Sequence, residues 1–220
     1  MIISRKNISL LAKSILAGIM ISLGSFAYVV CMSMQNKIVG SALFSIGLLL
    51  ICFLSLMLYT GKIGFIIDST KEDIKSNLLN LVIIYIGNFI GAIGTGALCY
   101  LIFSNSSTQY ARDILTAVNN IAVAKEFNSN NLSFILSFFC GILVFLAVYL
   151  NKRLNNEAAR FLFIFLCVFI FVISGFDHCI ANMFYFSCAG VWSVNAFLNI
   201  LLVTIGNSAG SIFLNGMLKI

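Results

Sequence analysis

Residues 174–182 read SGFDHCIAN and lie in the middle of an apolar run long enough to cross a membrane. They contain His178, the only histidine of the chain, next to an aspartate. Ionisable side chains at bilayer depth are costly and rare, and they usually face a cavity or a transport pathway rather than lipid. This stretch therefore predicts a transport protein with a polar site inside the membrane.

The rest of the chain has the composition of a multi-pass membrane protein. Of its 220 residues, 61% are hydrophobic and 9% are charged, whereas an ordinary soluble domain carries about 25% charged residues. A spanning helix needs about 20 apolar residues. Six regions meet that rule, at 12–34, 38–67, 77–103, 132–151, 161–191 and 195–218. We expect one all-α channel domain over 1–220 with six transmembrane helices, the first of which is retained rather than cleaved as a signal peptide.

The basic residues predict how the chain is oriented in the membrane. An even number of spans places both termini on one side, and nine of the 13 Lys and Arg residues would lie there: Arg5, Lys6, Lys13, Lys71, Lys75, Lys152, Arg153, Arg160 and Lys219. Because positive residues accumulate in cytoplasmic loops, we expect both termini to be cytoplasmic in a bacterial inner membrane. The net charge of +6 then reflects topology, and no basic patch with interleaved aromatic residues predicts nucleic-acid binding.

An internal repeat divides the chain into two halves. Residues 80–93 align with 199–212 without a gap, and both copies contain I-G-N-x-x-G-[AS]. The halves, at about 10–103 and 130–218, would hold three helices each, and an odd number of spans makes the two copies face opposite ways. Inverted repeats of this kind are common in transporters and channels. A chance match between two glycine-rich segments is the alternative.

The second and fifth regions are longer than a simple span requires. Polar or flexible residues interrupt them at 59–64 (YTGKIG) and at 174–178. In the repeat register Thr60 aligns with Cys179, one position from His178. Unwound backbone in a membrane is tolerated only where it lines a cavity, so we expect helices two and five to be broken and the pore to pass between the breaks. The alternative is two tilted, unbroken helices whose glycines serve packing.

Three motifs resemble the signature of the formate/nitrite transporter family. Residues 175–184 (GFDHCIANMF) look like its G-[FY]-E-H-x-x-x-N-M-[FY] element, 58–61 (LYTG) like its L-[FY]-T-[GS] element, and 203–207 (VTIGN) like its closing V-T-[LI]-G-N. The resemblance covers most of the chain. It implies an aquaporin-like bundle of six helices in the lipid bilayer, assembled as a homopentamer with one anion pore in each protomer.

The resemblance also implies two narrow constrictions. Phe44 and Leu48 would form the cytoplasmic-side constriction, with Thr60 on the adjoining break, and Phe171 would form the outer one. Hydrophobic rings of this kind exclude hydrated ions. A bare anion entering such a low-dielectric passage loses hydration worth on the order of tens of kcal/mol in the Born limit. The pore must therefore replace the lost water or neutralise the charge.

Polar side chains between the constrictions are the candidates for that task. His178 and Thr60 would hydrogen-bond a passing anion, and desolvation favours the neutral imidazole, which donates from one nitrogen and accepts at the other. Whether His178 gives a proton or only a hydrogen bond stays open. Lys125, in the loop between the third and fourth regions, matches the family's vestibule lysine; the alternative is a solvated lysine paired with Glu126.

The remaining polar candidates are less specific. Asn207 matches the family's Gly-Asn element near the inner constriction, and it completes the candidate anion-binding set together with Asn182. Asn182 lies one turn after His178 and could hydrogen-bond it or bridge helices. Asp177 is interpreted as structural because a carboxylate facing the pore would repel anions; it could orient His178, cap a half-helix or bind a neighbouring protomer. Lys62 follows a break and could extend to an interface.

Departures from the family pattern bear on the substrate. Formate and nitrite members usually carry an Asn in the fourth helix, where this chain has Gly141, and they often carry prolines that this chain lacks. Losing a polar pore group puts carboxylate recognition in doubt. We therefore expect a channel or proton-coupled facilitator closest to the hydrosulfide channel branch, with HS⁻ favoured and formate or nitrite as alternatives.

Other classes fit the residues less well. An intramembrane enzyme could use His178 and Cys179 as base and nucleophile, but adjacent helical residues point about 100° apart and no oxyanion-hole motif accompanies them. A neutral-solute channel of the aquaporin type would need paired Asn-Pro-Ala boxes, which a chain without proline lacks. The seven cysteines include no CxxC pair, and most lie in apolar spans as small hydrophobes. We expect no enzyme activity, metal or cofactor.

Overall fold

The computed structural model describes residues 5–128 and 130–220, with the side chain of Lys6 outside the description. The single domain predicted for 1–220 therefore includes residues 1–4 and 129, which lie outside the described residues. Within the described ranges the chain folds into helices and short connections, and no strand occurs there. The expected all-α class agrees with this architecture.

Nine α-helices follow one another along the described chain. They are α1 (Arg5–Ser33), α2 (Lys37–Phe53), α3 (Tyr59–Lys62), α4 (Ile74–Ser104), α5 (Gln109–Glu126), α6 (Asn130–Arg153), α7 (Glu157–Ile173), α8 (Cys179–Ala189) and α9 (Val194–Met217). A 3₁₀ helix, Ile63–Asp68, continues α3. By length and composition, four of these helices could cross a membrane: α1, α4, α6 and α9.

The other two predicted spans are divided between shorter helices. Region two contains α2, α3 and the 3₁₀ helix, and region five contains α7 and α8. In both, two turn residues and three irregular residues separate the pieces, at 54–58 and at 174–178. The predicted interruption at 174–178 coincides with the second of these breaks. The one predicted at 59–64 was misplaced, since those residues are helical and the chain is unwound just before them.

The two breaks begin with the same helix-ending motif. After α2, Leu56 N–H donates to Ile51 O at 2.9 Å, and after α7, Phe176 N–H donates to Phe171 O at 2.9 Å. The residue before each donor is left-handed, with φ of 52° at Ser55 and 74° at Gly175. A left-handed residue lets the chain turn back onto the last helical carbonyls. The break in region two thus begins at residue 54, five residues before the predicted interruption at 59–64.

Asn88 of α4 fixes the first break. Its Nδ2 donates to Met57 O at 2.8 Å and to Ser14 O at 2.7 Å, and its Oδ1 accepts from Tyr59 N–H at 2.8 Å. The side chain is fully buried. Unwound backbone in an apolar interior must find partners for its polar groups. This one amide supplies them for Met57 O inside the break and for Tyr59 N–H directly after it.

Asn207 of α9 fixes the second break in the same way. Its Nδ2 donates to Asp177 O and to Ser137 O, both at 2.8 Å, and its Oδ1 accepts from Cys179 N–H at 3.0 Å. Tyr59 therefore corresponds to Cys179 in the folded chain. The sequence register, which paired Thr60 with Cys179, was wrong by one position, because the breaks are matched by backbone geometry rather than by the asparagine spacing alone.

Helix α5 was expected to be a loop. It begins after Thr108, whose Oγ1 accepts from Ala111 N–H at 3.2 Å, and it buries one face of small and aliphatic side chains: Ala111, Ile114, Ala117, Val118 and Ala122. An amphipathic helix of this kind lacks the long apolar run on which the prediction of spans depended. It packs mainly on α8 and α1 and carries Lys125 towards the second break.

Candidate functional site

The two breaks meet through His178 and Thr60. His178 is the residue before α8, and its Nε2 lies 2.8 Å from Oγ1 of Thr60 in α3. Both side chains are buried, with 2% of His178 and none of Thr60 exposed. The predicted pair is therefore brought together although the residues are far apart in the chain.

The other imidazole nitrogen determines how this pair is arranged. Ala181 N–H donates to Nδ1 of His178 at 3.3 Å, which caps the first turn of α8. Because Nδ1 accepts, the proton of a neutral ring lies on Nε2 and is donated to Thr60 Oγ1. The Thr60 hydroxyl proton is then free to point elsewhere. The site can thus present one hydroxyl donor whose orientation is set by a neutral histidine.

Aromatic rings close one side of the pair. The rings of Phe44 and Phe171 meet edge to face with centroids 5.6 Å apart, and Phe171 stacks on His178 at 6.0 Å. Sequence reasoning placed Phe44 with Leu48 in an inner constriction and Phe171 alone in an outer one. The ring contact instead places Phe44 and Phe171 at the same level, because α2 and α7 pack side by side in opposite directions, with the start of α7 at Arg160 beside the end of α2 at Phe53.

Leu48 lies one turn further along α2 and is 2% exposed. Phe44 before it lines one cavity and Ile51 after it lines another, so Leu48 lies between the two. Leu58, which precedes α3 and is equally buried, lines the second cavity. Leu58 was not predicted from the sequence, because nothing in an apolar run distinguishes the leucine that ends a break.

The first cavity contains the predicted vestibule lysine. It has a volume of about 60 Å³, and its lining includes Phe44, Phe171, His178, Lys125, Asn182 and Tyr185. Nζ of Lys125 donates to Oδ1 of Asp177 at 2.5 Å. The proposed pairing with Glu126 is wrong, because that carboxylate accepts from Ser193 Oγ. Asp177 thus binds a lysine of its own chain, a structural role that differs from the three considered from the sequence.

Two asparagines join this ion pair to α9. Asn182 donates from Nδ2 to Asp177 Oδ1 at 3.3 Å and to Asn199 Oδ1 at 3.0 Å, and Asn199 Nδ2 donates to the backbone oxygen of Lys125 at 2.9 Å. The four residues form a closed ring of hydrogen bonds. Of the two roles considered for Asn182, the structure shows the bridge between helices; its side chain has no hydrogen bond to the His178 ring among the described contacts.

Two acceptors in this network keep no hydrogen-bond partner in the described part of the chain. They are Oδ2 of Asp177 and Oδ1 of Asn182, both buried. Buried acceptors without partners are costly. Of these two residues Asn182 lines the cavity, where its Oδ1 can accept a hydrogen bond from water or from a protonated solute. The vestibule therefore offers one acceptor beside the ion pair of Lys125 and Asp177.

The second cavity opens at the other end of the site. It has a volume of about 160 Å³ and is lined mainly by the end of α2, the first break, α3 and the end of α6, including Ser55, Leu58, Gly61, Lys62, Asn151 and Lys152. Helix α6 begins next to the Lys125 end and ends at Arg153, directly after Lys152, over 24 residues, or about 36 Å at 1.5 Å per residue. The two cavities thus lie on opposite sides of Thr60 and His178.

Asn207 and Gly141 differ from their predicted roles. Asn207 was a candidate for binding the anion, but its amide is occupied by three backbone groups and holds the break instead. The sequence predicts that Gly141 is a pore position lacking an amide. A Cβ at Gly141 would lie 2.1 Å from Asn207 O, so this position faces the backbone of α9 and not a cavity.

Sequence reasoning also left out Asn88 and Asn199. Asn88 is the repeat partner of Asn207, so the I-G-N pattern contained the signal that identifies it. Asn199 aligns with Asn80 in the same repeat, but only the folded chain shows that it contacts Lys125 and Asn182. No group of three or more His, Cys, Asp or Glu side chains that could hold a metal occurs among the described residues.

Comparison with known proteins places the whole chain in one group. The family model for formate/nitrite transporters matches residues 2–220. The formate-nitrite transporter of Plasmodium malariae is 29% identical over 233 residues, covering 92% of this chain and 72% of the relative. The nitrite transporter NirC of Escherichia coli is 28% identical and covers 81% and 69%. The formate channel FocA of Haemophilus influenzae is 26% identical over 68% of this chain, and the match spans 52%, about half, of that relative.

Solved structures agree with the sequence relatives. A pentameric formate channel with formate bound superposes with a TM-score of 0.85 at 25% identity, covering 98% of this chain and 96% of the other. An ion channel described as a member of the FNT family superposes with a TM-score of 0.80 at 23% identity, over 96% and 89%, and shows the same fold. These relatives and neighbours are channels and transporters rather than enzymes.

Proposed function

This chain belongs to the formate/nitrite transporter family, and on that premise we propose that it conducts small monovalent anions across the membrane. It is a membrane protein, as its family and its long apolar helices indicate. The observation that carries the proposal is the buried pair of Thr60 and His178 between two cavities. The names of relatives that carry formate and nitrite support the choice of anion class.

We propose that the chain crosses the membrane six times. The four long helices would be joined by two broken spans, α2 with α3 and α7 with α8, as an aquaporin-like inverted repeat. The matching geometry at 54–58 and 174–178 supports this reading. Both termini would be cytoplasmic in a bacterial inner membrane, because the basic residues favour that side. The similarity to a pentameric channel supports a homopentamer embedded in lipid.

The proposed path runs from the Lys125 cavity to the Lys62 cavity. An anion would enter beside Lys125, pass the rings of Phe44 and Phe171, reach Thr60 and His178, and leave past Leu48 and Leu58. Narrow apolar rings exclude hydrated ions, so the anion must shed water at the rings. The free hydroxyl proton of Thr60 would replace one of the lost hydrogen bonds at the centre.

His178 would act as a neutral hydrogen-bond donor and not as a source of protons. A second proton on the ring would have to sit on Nδ1, where it would face the N–H of Ala181, which donates to that atom. It would also place a positive charge at the N-terminus of α8, where the helix dipole favours negative charge. A proton-coupled mechanism would then take its proton from water in a cavity and not from His178.

HS⁻ remains the anion that we favour, with formate and nitrite as alternatives. The support is that Thr60 presents a single hydroxyl donor at the centre, whereas two-oxygen anions are recognised best by paired donors. The absence of an amide at position 141 does not distinguish HS⁻ from formate or nitrite, because Gly141 faces the backbone of α9. The substrate therefore has to be decided by competition among the three anions.

Flux into proteoliposomes tests the proposed function. We expect uptake of HS⁻, formate and nitrite above that of protein-free vesicles, and we expect Thr60→Val to reduce all three, because valine keeps the shape and removes the hydroxyl. Phe127→Ala, at a residue 72% exposed, is the control. Passage of glycerol or water without anion flux would overturn the proposal in favour of a neutral-solute channel.

A further inference from the structure

We propose that the cavity at the Lys62 end is a binding site for small anions, formed by Lys62, Lys152, Asn151 and Ser55. This inference rests on the proposed function, since the site would be where an anion binds before it enters the constriction. The cavity volume of about 160 Å³ holds such an ion together with several waters, because one water needs only about 10–15 Å³ of this kind of space.

Lys62 is the central residue of this site. It follows Thr60 by two positions on α3, is partly buried, and lines the cavity beside Leu58 and Gly61. Among the described residues no hydrogen bond or ion pair joins its ammonium group to an acid. An ammonium group removed from water without a counter-ion is costly, and a small anion in the cavity would supply the missing charge.

Lys152 brings a second positive charge to the same space. Its Nζ lies 3.6 Å from the centroid of the Phe65 ring, and its side chain lines the cavity. The nearby carboxylate of Asp68 is occupied, because it accepts from Asn215 Nδ2 and pairs with Lys219. The ammonium groups of Lys62 and Lys152 repel each other. An anion bound between them would attract both.

Two neutral donors complete the site. Oδ1 of Asn151 accepts from Nε of Arg160 at 2.9 Å, which leaves the amide protons of Asn151 for the cavity. Ser55 holds a left-handed backbone, with φ of 52°, at the position where the other break has a glycine. A serine there costs conformational energy that glycine avoids but adds a hydroxyl to the lining.

The two ends of the proposed path therefore differ in charge. At the other end Lys125 is paired with Asp177 at 2.5 Å, so its cavity has little net charge. A cationic cavity concentrates anions and speeds their arrival. We expect anions to bind more tightly when they enter from the Lys62 end than from the Lys125 end.

Lys62→Gln tests this site, with Lys71→Gln as its matched control. Both variants remove one positive charge, and Lys71 is exposed in the connection after the 3₁₀ helix. For Lys62→Gln we expect the formate concentration giving half-maximal flux from that end to rise about threefold to tenfold, with little change in the maximal flux. Lys62→Arg restores the wild-type value, and Lys71→Gln stays close to it. Ser55→Gly weakens formate binding by about twofold without lowering thermal stability.

Binding is measured separately from flux, by saturation-transfer NMR of formate with the protein in detergent. A loss of formate signal in Lys62→Gln, but not in Lys71→Gln, supports the site even if the wild-type protein carries no formate, in which case only the proposed function fails. If both variants bind and transport formate like the wild type, Lys62 merely extends to the membrane interface and the site is refuted. If the wild-type protein needs the same formate concentration for half-maximal flux from both ends, the assigned asymmetry is wrong.

Discussion

His178 Nε2 and Thr60 Oγ1 lie 2.8 Å apart, so a single buried hydrogen bond links the two interrupted segments of this channel-family protein. Each partner is positioned by its own half of the chain: Thr60 by the helix that starts after the first break, His178 by the backbone of the helix that it caps. The backbone of each residue is thus placed without the other, whereas the orientation of the Thr60 hydroxyl depends on His178. This independence makes the roles of the two groups separable by mutation.

Two substitutions at His178 distinguish a hydrogen-bond donor from a proton donor. Asparagine retains the cap on Ala181 N–H, since Asn is among the best N-cap residues, but is too short to reach Thr60. Glutamine is long enough to reach Thr60 but caps poorly. We expect both to lower flux about tenfold at most, while the pH dependence between about pH 5 and 8, where an ordinary histidine titrates, keeps its wild-type shape. A pH profile that flattens in both variants would show that His178 exchanges protons with the substrate.

The asparagines that hold the breaks are expected to dominate stability. Asn88→Ala or Asn207→Ala leaves a carbonyl oxygen and an N–H of one break without partners, and each such buried group costs about 1–3 kcal/mol. We expect either variant to lose at least about 2 kcal/mol, measured by thermal unfolding in detergent. Asn105→Ala, at an exposed amide bonded only to Leu101 O, changes stability by less than about 0.5 kcal/mol. Equal losses in all three variants would contradict the anchoring role.

The ion pair of Lys125 and Asp177 is expected to be strongly coupled. Asp177 is fully buried and the Lys125 side chain is 15% exposed, and breaking a buried pair by removing one partner costs about 3–5 kcal/mol. Lys125→Met and Asp177→Leu should each destabilise the protein by about that much, and the double variant by less than the sum. A double-mutant cycle from unfolding in detergent measures the difference, and additive losses would show that the two charges are independent.

The edge-to-face contact between Phe44 and Phe171 predicts selection by size. Truncating either ring to alanine widens the passage at one level, so flux of acetate should rise relative to formate by about tenfold, roughly the discrimination of one methyl-sized contact. The double variant should gain little more, because either truncation opens the same constriction. Competition flux with mixed anions measures the ratio. If each truncation instead acts independently, the rings form two separate gates, as the sequence suggested.

Gly141 and Gly94 form a matched pair for testing helix packing. A Cβ at Gly141 would clash with Asn207 O at 2.1 Å, whereas a Cβ at Gly94 meets nothing within 4 Å. We expect Gly141→Ala to destabilise the protein by about 1–3 kcal/mol through overpacking and Gly94→Ala to be neutral or stabilising by up to about 1 kcal/mol. Thermal unfolding of the two variants gives the comparison. A neutral Gly141→Ala would mean that position 141 has free space after all.

Much of the fold follows from the apolar runs and the repeat. Helices α4, α6 and α9 lie within three residues of the predicted regions, because a span is defined by its apolar length, whereas α1 begins at Arg5, seven residues before its predicted region. The break at 54–58 was missed since it consists of Leu, Ser and Met residues without a glycine, and its left-handed residue is a serine. Helix α5 was missed because its burial comes from one face of small side chains.

The site was predictable as a set of residues but not as a geometry. A motif indicates that His178, Thr60 and Lys125 matter, yet it does not say which atoms face one another. The pairing of Lys125 with Asp177 and the orientation of Gly141 depend on how helices pack, to which a single sequence gives no direct access. For the same reason the sequence did not show that Phe44 of α2 contacts Phe171 of α7, and it assigned the two rings to separate constrictions.

The anchoring asparagines belong to α4 and α9, two long unbroken helices, and not to the broken segments themselves. The two breaks at the centre of the molecule are thus held in place by side chains of the intact helices that flank them. Lys62 has no contact with either asparagine among the described hydrogen bonds, so the entrance at the Lys62 end can diverge in sequence while the centre keeps its shape.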